Sequence, residues 1–387
     1  MKLKYCTKCV MPATKPDLFF DKDGVCDACR SAELKYDKIK GIDWNARRKE
    51  FERIIEKYRS KDGKNYDCII PVSGGKDSHY QTYIMKVVYK MNPLLVCFEQ
   101  TKISELGKKN MENIRKFGCD MIYFKKNPEV YRKLEVEGLK RVGDNDWPNH
   151  VGCFTIPVRV AVQFNIPLLI WGENSQLEYG GPATAREKNY LDRRWMEEFT
   201  LLGNRVEDMI GVDGITKEDM LIYTYPDDKD LKRVGVTGLF LGYFFLWDQR
   251  KQVELIRKKY GFNIKEDGPI EGTYTNYENL DDATVGLHDY LKFTKYGFGR
   301  GTDHACTDIR NGRITREEGL DLVRKYDGKY PYYGVKSFCE MSGMSKKEVD
   351  KYIDSFTNKQ IFKMDKRGKF LRDMAGNLIK NNYDNEL

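Results

Sequence analysis

Short apolar runs alternate with longer stretches of helical periodicity in the first two thirds of the chain. Four of these runs are rich in β-branched and large apolar residues and are bounded by turn residues, which predicts buried strands. The predicted strands cover residues 66–72, 94–98, 121–124 and 168–171. Because strands that alternate with helices usually pair in parallel, the pattern predicts an α/β fold with a parallel sheet covered by helices.

Apolar residues at helical spacing mark the segments between these strands. Helices are predicted over residues 44–58, 103–117, 130–141 and 158–164, with an irregular stretch over 143–152. Asp43 is the expected N-cap of the first of them, because its carboxylate can accept from the free N–H groups of the first turn.

Beyond about residue 236 the alternation stops and helices dominate. The apolar segment 236–247 is predicted to begin a buried helix. Capping boxes at 315–318 and 345–348 predict two further helices, since each is followed by apolar residues at helical spacing. The last stretch, 366–387, has few large apolar residues and is expected to fray.

Composition predicts a globular protein. Hydrophobic residues make up 40% of the 387 positions, which is ample for packed cores. No stretch reaches the roughly 20 apolar residues of a membrane span. The N-terminus lacks the apolar core of a signal peptide, so a cytoplasmic location without membrane contact is expected. Basic residues outnumber acidic ones by 67 to 59. This surplus suits an anionic ligand, but both signs are interspersed, so nucleic acid is not an expected partner.

Four cysteines near the N-terminus form two Cys-x-x-Cys knuckles, Cys6 with Cys9 and Cys26 with Cys29. In a reducing compartment this spacing is typical of a tetrahedral zinc site and not of disulfides. The turn-rich residues between the knuckles need a bound metal to fold. Because cysteine fills all four coordination positions, the zinc is expected to be structural, and a redox role is the alternative.

A glycine-rich turn after the first predicted strand carries the most specific chemistry. Its residues are Ser73, Gly74, Gly75, Lys76, Asp77 and Ser78. The glycines let backbone N–H groups approach an anion, and the following helix start adds unpaired donors. Lys76 can add charge and Asp77 can hold Mg²⁺. The turn is shorter than a Walker motif and resembles the PP-loop of enzymes that split ATP into AMP and pyrophosphate. A tight turn without a ligand is the alternative.

Ligands of open parallel sheets lie beyond the carboxyl ends of the strands, so residues near those ends are candidates. Glu173 and Glu178 lie in the loop after the fourth predicted strand, where carboxylates can orient Mg²⁺, the triphosphate or an incoming amine. Cys97 and Phe98, at the end of the second strand, are predicted to contact the bound nucleotide. A polar loop without catalytic function is the alternative for residues 172–181.

A second glycine-rich segment, residues 297–304, lies in the C-terminal third. Arg300, Asp303 and His304, with Arg310 further along, form a predicted clamp for a phosphorylated or diphosphate-linked substrate. Arginine presents a rigid fork to phosphate, and histidine titrates near neutrality. A structural histidine is the alternative for His304.

The remaining cysteines indicate which atom attacks the activated substrate. AMP transfer activates an amide or carboxylate oxygen for attack by nitrogen or sulfur. Outside the knuckles, the cysteines do not occur in pairs, and those in predicted strands are expected to be buried. No role is predicted for Cys153 and Cys306. The chain has neither a Gly-x-Cys-x-Gly elbow nor a cysteine at position 2. We therefore expect a synthetase subunit that uses free ammonia or ammonia from a glutaminase partner.

Four motifs, in this order along most of the chain, resemble the N-acetyl sugar amidotransferase family. They are Cys-x-x-Cys-Val-Met-Pro with the second knuckle, Pro-Val-Ser-Gly-Gly-Lys-Asp-Ser, Gly-Glu-Asn-x-x-x-Glu-Tyr-Gly-Gly, and Gly-Phe-Gly-Arg-Gly-Thr-Asp-His through Asp-Ile-Arg-x-Gly-Arg-Ile-Thr-Arg-Glu-Glu. Members of that family convert the N-acetyl group of a nucleotide-linked sugar to an acetamidino group in bacterial O-antigen and nonulosonic acid pathways. The resemblance implies ATP, Mg²⁺ and structural Zn²⁺ as cofactors, and a separate glutaminase subunit like that of imidazole glycerol phosphate synthase.

The pattern and the resemblance together predict an α/β PP-loop core of the adenine nucleotide α-hydrolase type. Residues 1–42 are expected to form the zinc knuckle, residues 43–235 the ATP-binding domain, and residues 236–387 a mainly helical region that contributes to the sugar site. Two other functions stay open at this point, a tRNA-modifying PP-loop thiolase and a non-catalytic zinc adaptor with a vestigial nucleotide loop.

Overall fold

The apolar runs identified in the sequence form strands of one six-stranded sheet. The computed structural model describes residues 3–37, 39–100, 102–181, 190–191 and 205–381. The strands are β1 (Cys68–Pro71), β2 (Pro93–Phe98), β3 (Met121–Phe124), β4 (Leu168–Trp171), β5 (Tyr190–Leu191) and β6 (Thr237–Phe240). Their order is β3-β2-β1-β4-β6-β5, in which β5 alone runs antiparallel, against β6. The predicted α/β fold class is confirmed.

Helices connect and flank these strands. They are α1 (Asp27–Tyr36), α2 (Trp44–Tyr58), α3 (Lys76–Thr82), α4 (Glu105–Ile114), α5 (Pro128–Glu137), α6 (Trp147–Phe164), α7 (Ser175–Tyr179), α8 (Asp228–Val234), α9 (Leu241–Phe244) and α10 (Gln249–Tyr260). Three helical segments with a geometry other than α extend these helices: Tyr83–Val88 follows α3, Arg115–Phe117 follows α4, and Gly138–Val142 follows α5. Asp43 caps α2 as predicted, since its carboxylate accepts from the N–H groups of Asn45 and Ala46.

The sheet is buried on both faces because successive strand residues point to opposite sides. Within β4, Ile170 packs in a cluster that includes Phe51 of α2, whereas Leu169 packs in a second cluster that includes Val151 of α6. This double burial explains why the strands read as continuous apolar runs. Strands β1 and β4 are parallel neighbours in the sheet, so their carboxyl ends lie side by side at one edge.

Helix α6 begins earlier than the sequence predicted. Residues 147–152 of the stretch expected to be irregular are helical. Pro148 lies in the first turn, where its missing N–H costs nothing. Gly152 is required by packing, because a Cβ at that position would lie 2.3 Å from the ring of Phe98. Pro148 and Gly152, which are residue types that normally interrupt helices, are therefore accommodated within α6.

The prediction of a helix starting in 236–247 is wrong for its first part. Thr237–Phe240 is the fifth parallel strand, and it pairs with β4 from Leu168↔Thr237 to Trp171↔Phe240. This pairing depends on a strand almost 70 residues earlier, and local periodicity carries no information about it. The sheet therefore includes residues beyond 235.

The C-terminal third is helical, as predicted. Its helices are α11 (Val285–Tyr296), α12 (Arg300–Arg310), α13 (Arg316–Tyr326), α14 (Tyr332–Ser342) and α15 (Lys346–Phe356). Both expected capping boxes are present, at Thr315 with Glu318 and at Ser345 with Glu348. Of the helices that the structure describes, none is long and apolar enough to cross a membrane.

The expectation that residues 366–387 fray is wrong as far as residue 381. Phe370 and Leu378 are buried in the core of the C-terminal helices, and isolated β-bridges join Phe362 to Lys380 and Arg372 to Leu378. A few well-placed apolar side chains are enough to dock this segment.

Candidate active site

The predicted phosphate loop lies between the carboxyl end of β1 and the start of α3. The N–H of Ser73 donates to Ser78 Oγ at 2.9 Å, and the N–H of Gly75 donates to Ser73 Oγ at 3.3 Å. Gly74 has a φ of +84°, and a Cβ there would lie 3.2 Å from the backbone nitrogen of Met111. The loop is therefore a tight turn that depends on glycine at position 74.

Lys76 is buried at the start of α3 between two carboxylates. Its Nζ donates to Asp77 Oδ2 at 2.6 Å and lies 3.3 Å from Glu278 Oε1. Burial alone would lower the pKa of Lys76, but Asp77 and Glu278 raise it above its usual value. A permanently charged ammonium is thus fixed beside the loop. Asp77 Oδ1 is buried without a hydrogen-bond partner among the described residues.

Glu278 is a site residue that the sequence analysis missed. It belongs to the segment before α11, whose backbone is held against the loop after β2. The N–H of Ser104 donates to the carbonyl of Asp281 at 3.2 Å, and the N–H of Ala283 donates to that of Lys102 at 3.0 Å. Burial raises the pKa of Asp281 to about 6, although a hydrogen bond with Ser73 opposes the shift. The C-terminal third therefore supplies carboxyl groups to the phosphate loop.

Glu173 follows β4 and faces the same region. Its Oε2 accepts from the Tyr179 hydroxyl at 3.1 Å and from Gln249 Nε2 at 3.2 Å. Burial, followed by the nearby Asp77 carboxylate, raises the pKa of Glu173 to about 7. A carboxyl group with this pKa can exchange a proton near neutral pH, as a general base must.

Glu178, the second predicted catalytic carboxylate, is engaged in a structural brace. Its carboxylate forms a buried ion pair with Lys35 of α1, and its backbone carbonyl accepts from Arg310 Nη1 at 2.9 Å. The two glutamates of the loop after β4 therefore have different surroundings. Glu173 lines the cavity, whereas Glu178 is paired with Lys35.

The four knuckle cysteines come together as predicted. Their buried Sγ atoms all lie within 4.8 Å of one another, at 3.9 Å for Cys6 with Cys29 and 3.8 Å for Cys9 with Cys26. A tetrahedral site with Zn–S bonds of about 2.3 Å places its sulfurs about 3.8 Å apart. The cluster therefore fits a structural zinc ion. The N–H groups of Cys9 and Cys26 are also directed at Cys6 Sγ, at 3.4 and 3.2 Å.

Arg310, predicted to bind substrate, lies against this cluster. Its Nη2 is 3.7 Å from Cys9 Sγ and 3.9 Å from Cys26 Sγ, while its Nη1 holds the carbonyl of Glu178. The guanidinium therefore joins the knuckle to the loop after β4.

A cavity of about 350 Å³ opens beside Glu173. Its walls come from the residues between the knuckles, the loop after β4, the start of α6 and helices α11 and α12. Its charged lining includes Lys15, Glu173, His288, Lys292, Lys295, Arg300 and Asp303. The volume is in the range of small-molecule sites in proteins, about 300–1,000 Å³.

Two of the four predicted clamp residues, Arg300 and Asp303, line this cavity. Arg300 Nη2 donates to Asp289 Oδ1 at 3.0 Å, and Lys292 Nζ donates to the Asp303 carboxylate. Each is therefore already paired with an opposite charge. Such pairing fixes the side chains and reduces the net charge that they offer to a ligand.

His304 lies behind the cavity wall. Its Nδ1 is 2.6 Å from Thr273 Oγ1, and its Nε2 is 3.8 Å from Glu278 Oε1. Burial and then the Arg300 charge lower the pKa of His304 to about 3, so the ring is neutral at physiological pH. The geometry favours the alternative of a structural histidine, which joins α12 to the segment that carries Glu278.

A charged cluster on another wall of the cavity was also missed. His288 Nδ1 lies 2.7 Å from Asp144 Oδ1, and the rings of His288 and His150 meet edge to face at 5.1 Å. Burial opposes protonation of His288, but Asp144 and then Asp146 raise its pKa to about 9. Burial lowers the pKa of His150 to about 4. These residues come from distant segments, so no local motif marks them.

Cys97 and Phe98 lie in the core of the sheet. Burial raises the pKa of the Cys97 thiol to about 12, and Phe98 stacks on Phe124 with ring centroids 6.3 Å apart. Cys153 donates to Asn149 Oδ1 at 3.2 Å, and Cys306 packs beside the knuckle. These contacts are those of packed core residues.

Comparisons with known proteins concern parts of the chain. A stretch of 138 residues, 35% of the chain, is 28% identical to the uncharacterized protein MJ1599 of Methanocaldococcus jannaschii. The match spans 47% of that protein, so the chain covers about half the length of this relative. Residues 271–375 match the family model of the C-terminal domain of WbpG-like LPS biosynthesis proteins. The region that supplies Glu278, His288 and Arg300 is therefore similar to the C-terminal domain of the LPS biosynthesis protein WbpG.

Proposed function

We propose that the chain is the synthetase subunit of an ATP-dependent amidotransferase that converts the N-acetyl group of a nucleotide-linked sugar to an acetamidino group. The observation that carries this proposal is the position of Glu173. Its carboxyl group interacts electrostatically with Lys76 and Asp77 of the phosphate loop, and it also lines the cavity. A nucleotide on the loop and a sugar in the cavity would meet at this residue. The WbpG-like C-terminal domain supports a role in LPS biosynthesis.

The residues fit the steps of such a reaction. The acetamido oxygen attacks the α-phosphorus of ATP, pyrophosphate leaves, and Lys76 stabilises the charge of the phosphates. Ammonia adds to the resulting imidate carbon, Glu173 takes a proton from the attacking nitrogen, and loss of AMP gives the amidine. Asp77 and Glu278 would hold Mg²⁺, which when bound neutralises phosphate charge.

The ammonia would come from a separate glutaminase subunit of the imidazole glycerol phosphate synthase type. Two features favour this function over the alternatives. Burial raises the pKa of the Cys153 thiol well above its ordinary value, which disfavours the thiolate that a thiolase would need. The knuckle is bonded to the loop after β4 through Lys35 and Arg310, whereas an adaptor would present it to a partner.

The proposed reaction can be tested with ammonium in place of a partner. The protein is incubated with ATP, Mg²⁺, ammonium and a panel of nucleotide-linked N-acetyl sugars, and the sugars are analysed by mass spectrometry. Replacement of the amide oxygen by NH, with one AMP per sugar, is the expected outcome. Sulfur incorporation into tRNA, or no nucleotide turnover with any sugar, would exclude the proposal.

Glu173→Gln is expected to lower the rate of AMP release by about 10²–10⁴-fold, the usual contribution of a general base. In the wild type the rate should rise as Glu173 loses its proton, with half of the maximum near its pKa of about 7, because only the carboxylate accepts a proton. The glutamine variant should lack this rise. AMP release is measured against pH with the concentration of free ammonia held constant.

Glu254→Gln, on the exposed face of α10, is the matched control and should keep the wild-type pH profile. If the rise near pH 7 persists in Glu173→Gln, another group is the base.

A further inference from the structure

The cationic side chains in the cavity differ in whether they are already neutralised. Lys292 is paired with Asp303, Arg300 with Asp289, and His288 with Asp144. Lys15 and Lys295 have no carboxylate within ion-pair distance among the described residues. Lys15 Nζ lies 3.4 Å from the carbonyl of Pro16, and Lys295 Nζ donates to the carbonyl of Gly143 at 3.1 Å.

These two lysines reach the cavity from different parts of the molecule. Lys15 belongs to the segment between the two knuckles, and Lys295 belongs to the last turn of α11. Burial lowers the pKa of each below its ordinary value, although the charge of Asp303 opposes the shift for Lys15 and that of Asp144 opposes it for Lys295. Each ammonium therefore lacks a counter-charge in direct contact. An anionic ligand would supply that charge, and hydrogen bonds between charged groups contribute more than neutral ones.

We propose that Lys15 and Lys295 bind the diphosphate linkage of the nucleotide-linked sugar. This inference rests on the proposed function, since it names the part of the substrate that the cavity recognises. It assigns recognition to residues outside the predicted clamp of Arg300, Asp303, His304 and Arg310. Because Glu173 lines the same cavity, a sugar anchored by its diphosphate would present its N-acetyl group within reach of the nucleotide loop.

The binding test is separate from catalysis. With the loop saturated by a non-hydrolysable ATP analogue, binding of UDP-N-acetylglucosamine is measured by isothermal titration calorimetry. The variant Lys15→Met with Lys295→Met keeps the apolar stems of both side chains. We expect its affinity to fall by about 10–100-fold or more, the loss expected for charged hydrogen bonds. Lys351→Met, an exposed lysine on α15, is the control and should bind as the wild type does.

Two further ligands identify which anion is recognised. Neutral N-acetylglucosamine should bind weakly, and equally to wild type and double variant. Free N-acetylneuraminic acid carries a carboxylate but no phosphate. If it binds in a lysine-dependent way while UDP-N-acetylglucosamine does not, the lysines serve a sugar carboxylate and the proposal is overturned.

Kinetics separates this inference from the proposed function. If amidine forms with an unchanged KM for the sugar in the double variant, the lysine site is excluded while the amidotransferase function stands. If lysine-dependent binding is found but no amidine or AMP forms, the diphosphate site stands and the proposed reaction does not.

Discussion

Asp77→Ala is expected to lower sugar-dependent AMP release by at least about a thousandfold while the protein stays folded. Asp77 positions Lys76 through a 2.6 Å hydrogen bond, and its second oxygen has no partner among the described residues, as suits a ligand for Mg²⁺. The fold should survive because Lys76 keeps Glu278 as a counter-charge, and the Asp77 side chain is 37% exposed. Removing it therefore leaves neither a large cavity nor an unpaired buried charge.

The measurement follows AMP and pyrophosphate release together with the thermal unfolding midpoint. Asp62→Ala is a matched control, because Asp62 lies in the exposed loop before β1. Among the described residues, it bonds only the local backbone nitrogen of Lys64 and neighbouring side chains. It should retain full activity. Undiminished AMP release by Asp77→Ala, with the midpoint unchanged, would contradict the assignment of this loop to ATP.

The sheet could be predicted well because its strands are buried on both faces. Such strands are short apolar runs, and β1, β2, β3 and β4 all lie within a few residues of their predicted bounds. Strand β6 could not be recognised, since it contains Gly238, runs directly into the short helix α9, and is defined by pairing with the distant β4. Helix α6 begins before its predicted start at residue 158, and the part that was not predicted contains Pro148, Gly152 and Pro157, residue types that normally interrupt helices.

The candidate site was predictable where its residues are close in sequence. The loop from Ser73 to Ser78 and the glutamate that follows β4 are local motifs, and the rule that ligands lie at the carboxyl ends of strands brings them together. Glu278, His288 and Lys295 were not predicted, because isolated charged residues on helices and connecting segments are usually exposed to solvent. Only tertiary packing shows that His288 and Lys295 line the cavity and that Glu278 lies beside Lys76 of the phosphate loop.

Residues within one motif also proved to have different surroundings. Glu178 shares the loop after β4 with Glu173, yet it is neutralised by Lys35 and braced by Arg310. His304 and Arg300 are four residues apart on α12, but His304 faces Thr273 and Glu278 while Arg300 lines the cavity. Sequence proximity cannot distinguish a residue that faces the ligand from one that supports it.

Cys26→Ser is expected to remove the zinc and, with it, most of the binding of both substrates. The segment between Cys9 and Cys26 is turn-rich and includes the cavity residue Lys15, so we expect a bound metal to be an important constraint on it. Zinc binding contributes about 10–16 kcal/mol in small zinc domains, as much as the whole stability of many proteins. Loss of one ligand should therefore unfold this segment even if the sheet survives.

The effect should extend to the loop after β4, because α1, which follows the second knuckle, holds that loop directly. The N–H of Gly181 donates to Asp27 Oδ2 at 2.9 Å, and Lys35 pairs with Glu178. Both contacts come from α1, which begins directly after Cys26. When α1 is released, the loop that carries Glu173 loses two of its anchors, and AMP release should fall by about 100-fold or more.

Zinc content per chain, the thermal unfolding midpoint and ammonium-dependent AMP release are measured on the same preparation, without a glutaminase. Cys339→Ser is the matched control, because Cys339 is a half-buried cysteine of α14 outside the cluster. It should keep its zinc and its activity. If the zinc-free Cys26→Ser protein turns over ATP as the wild type does, the knuckle is separable from the active site. The contacts of Arg310 and Lys35 would then not be needed for catalysis.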